Sequence, residues 1–277
     1  MTAARLEARF AELARQGRAA FISYVMAGDP DLEISRAILE GLPAAGADLI
    51  ELGIPFSDPM AEGPPIQRAA LRALKAGMNL EGVLGLAAGF RAADKATPII
   101  LMGYLNPLLS YGLADFARDA AAARVDGVIV VDCPPEESGP LDGALAAEGL
   151  AVIRLVALTT DDARLPLVVE GARGFIYCVS VAGVTGQKEA DAAVVAAAVI
   201  RVRRVSPLPV AVGFGIRTPA RAAEVARVCD GAVVGSALVD AIAEAIAHNR
   251  DPAVNVLETA ARLAKAVRSA RAPQLAG

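Results

Sequence analysis

The chain has 277 residues, 55% hydrophobic and 21% charged, with a formal net charge of −4. A chain of this length can bury roughly 75% of its unfolded surface, and this composition is the reverse of a disordered one. The longest apolar run, residues 192–200, is far short of the ~20 residues that cross a bilayer, and no basic block suggests a nucleic-acid surface. Three cysteines, Cys133, Cys178 and Cys229, lie in apolar contexts. So sparse and odd a set points to reduced thiols in a cytoplasm, not a disulfide framework. The single histidine, His248, leaves almost nothing for a histidine metal site or a Ser-His-Asp triad. A Schiff-base mechanism would have to use one of four lysines, Lys75, Lys95, Lys188 or Lys265.

In chain order, residues 1–18 carry Leu6, Phe10 and Leu13 at helical spacing with acids between, so they read as an amphipathic helix and not as a leader. Short apolar runs then alternate with longer helical patterns. The spacing predicts strands at 20–26, 48–52, 98–102, 127–131, 151–156, 174–179, 209–212 and 231–234. Several are apolar on consecutive residues, as strands buried on both faces are. It predicts helices at 30–45, 80–94, 113–124, 136–148, 161–169, 190–204, 219–228 and 236–248, and a closing helix at 251–270. Asp29-Pro30, Thr160-Asp161 and Thr218-Pro219 supply capping signals. About eight βα units in ~250 residues is the count of a TIM barrel, here one α/β domain over 1–277. A doubly wound sheet is the alternative.

Barrel sites lie at the C-terminal ends of the strands. The late loops there are rich in glycine: Gly183-Val184-Thr185-Gly186, Gly213-Phe214-Gly215-Ile216 and Gly235-Ser236, the last opening a helix. Glycine admits an anion close to backbone N–H groups, and a helix N-terminus adds a favourable dipole. Each glycine alone could simply turn the chain; together they point to a phosphate site using Gly186, Gly215, Gly235 and Ser236. The segment Glu51 to Pro64 carries Glu51 at the end of an apolar strand. A carboxylate there is costly unless neutral or paired, and burial would ready it for proton transfer; a rim ion pair is the plainer possibility. The stretch from Pro55 to Pro65 adds Asp58 and Glu62 on a long loop, either a lid or a solvated connection. Tyr24, Tyr104, Asp132 and Tyr177 fall near other strand ends, where aromatics pack or orient a flat substrate.

These segments, in this order and spacing, resemble the tryptophan synthase alpha subunit family over the whole chain. Gly28-Asp29-Pro30, Glu51–Pro64 with Ile66-Gln67, Asp132 with Pro134, Glu136 and Glu137, Gly183-Val184-Thr185-Gly186 and Gly213-Phe214-Gly215-Ile216 carry the likeness. The resemblance implies a cofactor-free lyase. It cleaves indole-3-glycerol phosphate by a retro-aldol reaction to indole and glyceraldehyde 3-phosphate, the last stage of tryptophan biosynthesis. Indole then passes to a pyridoxal-phosphate-bearing beta subunit in an alpha2-beta2 heterotetramer. It implies Glu51 as the acid/base group, Glu62 as the carboxylate that steadies the indole N–H, and Tyr177 near the glycerol chain. Tyr24, Met102 and Tyr104 then fall in the indole pocket. Thr185, Gly186, Gly213, Gly215, Gly235 and Ser236 fall at the lid and phosphate, and Pro55, Asp58 and Asp132 at the partner interface. No metal is implied. Two positions depart from the family pattern: Glu62 replaces an aspartate, adding a methylene, and Ala182 stands where a hydroxyl residue is frequent. The counts agree with such a reaction, because protonated indole serves as its own electron sink. The rivals are another phosphate-binding barrel, such as an isomerase, and a weakly active subunit that mainly activates a beta partner.

Overall fold

The computed structural model describes residues 3–179, 191–213 and 215–271. Strands β1 (Ala20–Met26), β2 (Leu49–Gly53), β3 (Ile99–Gly103), β4 (Gly127–Val130), β5 (Ala151–Val152), β6 (Arg154–Ala157), β7 (Ile176–Val179), β8 (Val210–Gly213) and β9 (Gly231–Val234) form one parallel sheet. Its order is β5-β4-β3-β2-β1-β9-β8-β7-β6. The two terminal strands are parted only by Ile153. Ala151 pairs with Gly127 of β4, and Arg154 pairs with Ile176 of β7. Residues 151–157 are thus one barrel position that turns from one neighbour to the other, and the sheet closes into a (β/α)8 barrel. Closure sets aside the doubly wound alternative.

The helices are α1 (Ala3–Arg15), α2 (Leu32–Gly41), α3 (Pro64–Lys75), α4 (Leu80–Ala93), α5 (Leu105–Tyr111), α6 (Leu113–Ala122), α7 (Gly139–Ala147), α8 (Leu165–Val169), α9 (Ala192–Val205), α10 (Pro219–Val228), α11 (Ser236–Ala247) and α12 (Pro252–Ser269). Two of them fall in segments the pattern leaves unassigned. α3 buries Ile66 and the small side chains of Ala69, Ala70 and Ala73, a face too weakly apolar to stand out. α5 has Pro107 in its first turn, where proline removes no intrahelical hydrogen bond. The capping signals divide. Thr218 caps α10, its side chain accepting from the Arg221 N–H. α2 is instead capped by Asp31. Asp29 is left to form a buried ion pair with Arg72 of α3, at 2.6 and 2.8 Å. The Asp161 side chain accepts from the Arg164 N–H, one turn ahead of α8.

The N-terminal end of the barrel is braced by three aspartates of similar design. Asp48, Asp126 and Asp230 each precede a strand and accept a backbone N–H from the first two residues of a neighbouring one, at Phe21, Ile99 and Val210. Each also holds arginine: Arg18 on Asp48, Arg5 and Arg91 on Asp126, Arg203 on Asp230. α1 lies across this end, burying Leu6, Phe10 and Leu13, with Phe10 against Phe175 at 5.5 Å. α12 packs on α2, α10 and α11. No described helix is long and apolar enough to cross a membrane.

Asp126 is sealed and Arg91 is 3% exposed. Asp126→Ala therefore strands a buried guanidinium and is expected to cost about 3–5 kcal/mol. Glu33→Ala, removing an exposed pair with Arg36, should change stability by less than about 0.5 kcal/mol. Urea denaturation of both variants checks the contrast.

Candidate active site

Glu51 is the third of the five residues of β2, not its last, so its side chain lies below the barrel mouth. It is 0% exposed, and neither carboxyl oxygen has a hydrogen-bond partner among the described residues. Burial, then the neighbouring charge of Glu62, pushes its pKa up to about 8. In-register pairing puts Tyr24 of β1 beside it. Tyr177 enters from β7, the second residue of that strand. Burial raises the hydroxyl pKa of Tyr24 and of Tyr177, and both Glu51 and Glu62 raise them further. Four titratable side chains from separate segments therefore share one interior.

Glycine makes room for the two tyrosines. A Cβ at Gly53 would fall 2.3 Å from the Tyr24 hydroxyl, and one at Gly213 only 1.9 Å from the Tyr177 hydroxyl. The absence of a side chain at Gly213 is thus what admits the Tyr177 ring.

Glu62 reaches the site from the loop between β2 and α3. It is 7% exposed, and burial raises its pKa to about 7. The loop is anchored at several points. The Ala61 N–H donates to the Tyr104 hydroxyl at 3.0 Å, and the Gln67 side-chain amide donates to the Glu62 carbonyl at 3.0 Å. Phe56 packs on the Tyr104 ring at 5.3 Å. Tyr104 thus lies under the loop, and it is absent from the described lining of both cavities below. The prolines that begin α3 end the loop at Gly63, which makes it shorter than a lid running to Pro65.

Two cavities open at this end of the barrel. A narrow one of about 40 Å³ is lined by Tyr24, Glu62, Met102, Tyr177, Gly215 and Ser236, with Ile66, Ile216, Val233 and Gly235. A wide one of about 1060 Å³ shares Glu62, Met102, Gly215 and Ser236, and extends past Asp132 and Cys133 toward α7 and α8. There Arg154 is held by Asp142 and, at 2.9 Å, by Ser138. Glu51 lines neither cavity; Glu62 lines both. Gly215 has φ +82°, a conformation suited to glycine. Ser236 begins α11, whose N-terminus opens at the cavities. Thr185 and Gly186, with the rest of Gly183-Val184-Thr185-Gly186, lie outside the described residues. Of the lysines, Lys75, Lys95 and Lys265 line neither cavity, and Lys188 is outside the described residues.

The three residues expected at a partner surface differ in accessibility. Asp58 is exposed, next to Met60 at 71% exposure. Asp132 accepts the Leu105 N–H at 2.8 Å, capping the start of α5. Pro55 is buried within this chain. Cys178 and Cys229 are buried, whereas Cys133 is half-buried at the wide cavity.

The sequence profile described as "Tryptophan synthase alpha chain" matches residues 10–268. The chain belongs to that family. Among similar curated proteins, the tryptophan synthase alpha chain of Phenylobacterium zucineum (strain HLK1) is 67% identical over 98% of both chains. That of Caulobacter sp. (strain K31) is 66% identical, also over 98% of each. Among solved structures, tryptophan synthase subunit alpha from Legionella pneumophila str. Paris superposes with a TM-score of 0.88 at 38% identity, covering 95% of this chain and 98% of that one. A structure of Mycobacterium tuberculosis tryptophan synthase gives 0.86 at 39%, with coverages of 95% and 98%. Membership in this family sets the isomerase reading aside.

The raised pKa of Glu51 carries a stability consequence. Folded at about 8 against 4.5 as the ordinary value, the group holds more protons folded than unfolded, so its contribution to stability falls as pH rises from about 4.5 to about 8. Glu51→Gln removes that dependence. Urea midpoints should show the variant gaining on the parent by about 3 kcal/mol between pH 5 and pH 8. A gap that stays constant with pH contradicts this.

Proposed function

We propose that the chain carries out the alpha reaction of its family with Glu51 and Glu62 as its two working carboxyl groups. The observation that carries this reading is the pairing of a sealed, unpartnered Glu51 with a Glu62 that faces both cavities, the first with the higher pKa. Near neutral pH, Glu51 then holds a proton while a large share of Glu62 is ionised, which is the division of labour that retro-aldol cleavage of indole-3-glycerol phosphate requires.

Glu51 delivers its proton to the indole ring carbon that bears the glycerol chain. Positive charge develops on the ring nitrogen, and the Glu62 carboxylate accepts the ring N–H hydrogen bond and stabilises the cation, a term worth roughly 3 kcal/mol in a water-poor site. Glu51, now a carboxylate, takes the proton of the adjacent hydroxyl as the carbon–carbon bond breaks. The products are indole and the aldehyde of glyceraldehyde 3-phosphate, and Glu51 is protonated again. The cationic ring accepts the electron pair of the broken bond, so the step calls for no cofactor in this chain; pyridoxal phosphate belongs to the beta subunit.

Met102 and Tyr24 offer apolar walls for a flat ring, and Tyr177 stands near the glycerol chain. Gly215, Gly235 and Ser236 offer backbone donors to the phosphate, in company with Thr185 and Gly186. Tyr104 acts through the loop, holding Ala61 next to Glu62. The loop anchors support Glu62 in a catalytic role despite its extra methylene, since a loop backbone can retreat where a strand cannot. The exposed Asp58–Met60 segment and Asp132 form the face on which a beta subunit would dock in an alpha2-beta2 assembly, with Pro55 packed beneath. A cytoplasmic setting fits three cysteines that form no disulfide.

Glu51→Gln should lower the rate of indole release by at least about 100-fold with folding intact. Glu62→Gln should lose most of the rate with little change in phosphate affinity, while Glu62→Asp stays active. The parent's kcat/KM should fall below about pH 7, as Glu62 takes up a proton, and above about pH 8, as Glu51 loses one. Steady-state assays across pH check this, and a Gln at position 51 with near-parent turnover refutes it. Asp58→Lys should weaken mutual activation with a beta subunit more than it affects the isolated chain; unchanged activation in a paired assay counts against the docking face.

A further inference from the structure

The phosphate cradle just described consists of backbone N–H groups and one helix N-terminus. Its nearest fixed charge on α11 is unfavourable to an anion. Asp240 lies four residues beyond Ser236, one helical turn along. Side chains on a helix tilt toward its N-terminus, so the Asp240 carboxylate leans back toward the end that faces the cavities.

Two arginines offset it. Arg217, two residues beyond Gly215, donates from Nη2 to Asp240 Oδ2. Arg68 of α3 reaches the other carboxylate oxygen at 3.7 Å. The trio carries a net charge of one positive and ties together α3, α11 and the loop after β8. Arg217 is also the arginine that lines the wide cavity beside Gly215 and Ser236; the other two in the lining, Arg154 and Arg164, are held by Asp142 and Glu136. Its side chain is 44% exposed, so turning it costs little desolvation. A guanidinium has five N–H donors in a fork, which leaves donors for a second oxyanion while Nη2 stays on Asp240.

We propose that Arg217 is a side-chain component of the phosphate site: a cation stored on Asp240 that turns its fork onto the substrate's dianionic phosphate and cancels the repulsion of Asp240. This rests on the phosphate-cradle reading above. Arg217 would bind the remote phosphate and leave the chemical step alone, so its signature is in ground-state affinity and not in turnover.

The test uses the full chain, with glycerol 3-phosphate as the binding probe in calorimetry and indole-3-glycerol phosphate in steady-state assays. Arg217→Gln is expected to weaken glycerol 3-phosphate binding about tenfold and raise KM by a similar factor, with kcat within about twofold. Arg217→Lys should recover part of the loss, and about 0.5 M salt should shrink the gap between parent and Arg217→Gln. Ser236→Asp separates this proposal from the reading beneath it. An acid in the first turn suits the helix but repels a phosphate. If Ser236→Asp weakens the probe and Arg217→Gln changes it by less than about twofold, Arg217 plays no part and the cradle stands. If neither variant weakens the probe, the cradle reading falls as well. A fall in kcat with unchanged probe affinity assigns Arg217 a merely structural role and overturns the proposal.

Discussion

A carboxyl group sealed in a barrel without a hydrogen-bond partner is the constraint around which this structure is arranged. Burying a carboxylate unpaired is expensive enough that the group takes up a proton instead. Glu51 meets this condition because it lies in the middle of β2, below the cavities that Glu62 lines. No arginine or lysine is among the groups that shift it; the neighbouring charge that does, Glu62, has the same sign. Its environment differs sharply from that of Asp29, Asp48, Asp126 and Asp230, each of which is held by arginine. Three of those aspartates are buried as Glu51 is, and each of the three has its arginine, whereas Glu51 has no partner among the described residues.

That contrast divides the barrel into two ends with different work. At the N-terminal end, aspartates tie strand to strand through backbone N–H groups and arginine, and α1 covers them. At the other end, tyrosines and glycines surround Glu51 where an ion pair would otherwise be needed. Tyr24 and Tyr177 fill the space over Gly53 and Gly213, excluding water from around Glu51 without supplying it a counter-ion. The Asp29–Arg72 pair and the Ala61–Tyr104 contact then fix α3 and the loop before it, which is how Glu62 is brought over a group it cannot reach along the strand. Stability is given up at Glu51 in exchange for a proton held near neutral pH, a familiar trade at working sites.

The strands were the most legible part of the sequence, because buried parallel strands are written as continuous apolar runs. α3 was not, since its inner face is built of alanine, and the break at Ile153 was not, since turning from one neighbour to the next changes no residue type. Glu51 is recognisable as a carboxyl in an apolar run, but its depth depends on where β2 ends, at Gly53, one residue beyond the 48–52 pattern. Tyr104 and Gly213 stand out at the right end of the barrel, but the Ala61 N–H on the Tyr104 hydroxyl and the Tyr177 ring over Gly213 have no sequence period to announce them. Arg217 carries no sequence signal of its own: an arginine one residue past Ile216 reads as any exposed charge, and its ion pair with Asp240, 23 residues along the chain, is a contact made only by the fold.

The account stands on Glu51 being neutral at physiological pH. Infrared difference spectroscopy of the full chain against Glu51→Gln, titrated from pH 5 to pH 10, reads this directly through the carbonyl stretch of a protonated carboxyl. The account predicts a band present at pH 7, missing in the variant, that fades with a midpoint near 8. A band that has already vanished by pH 6, with a midpoint near the ordinary 4.5, would contradict it.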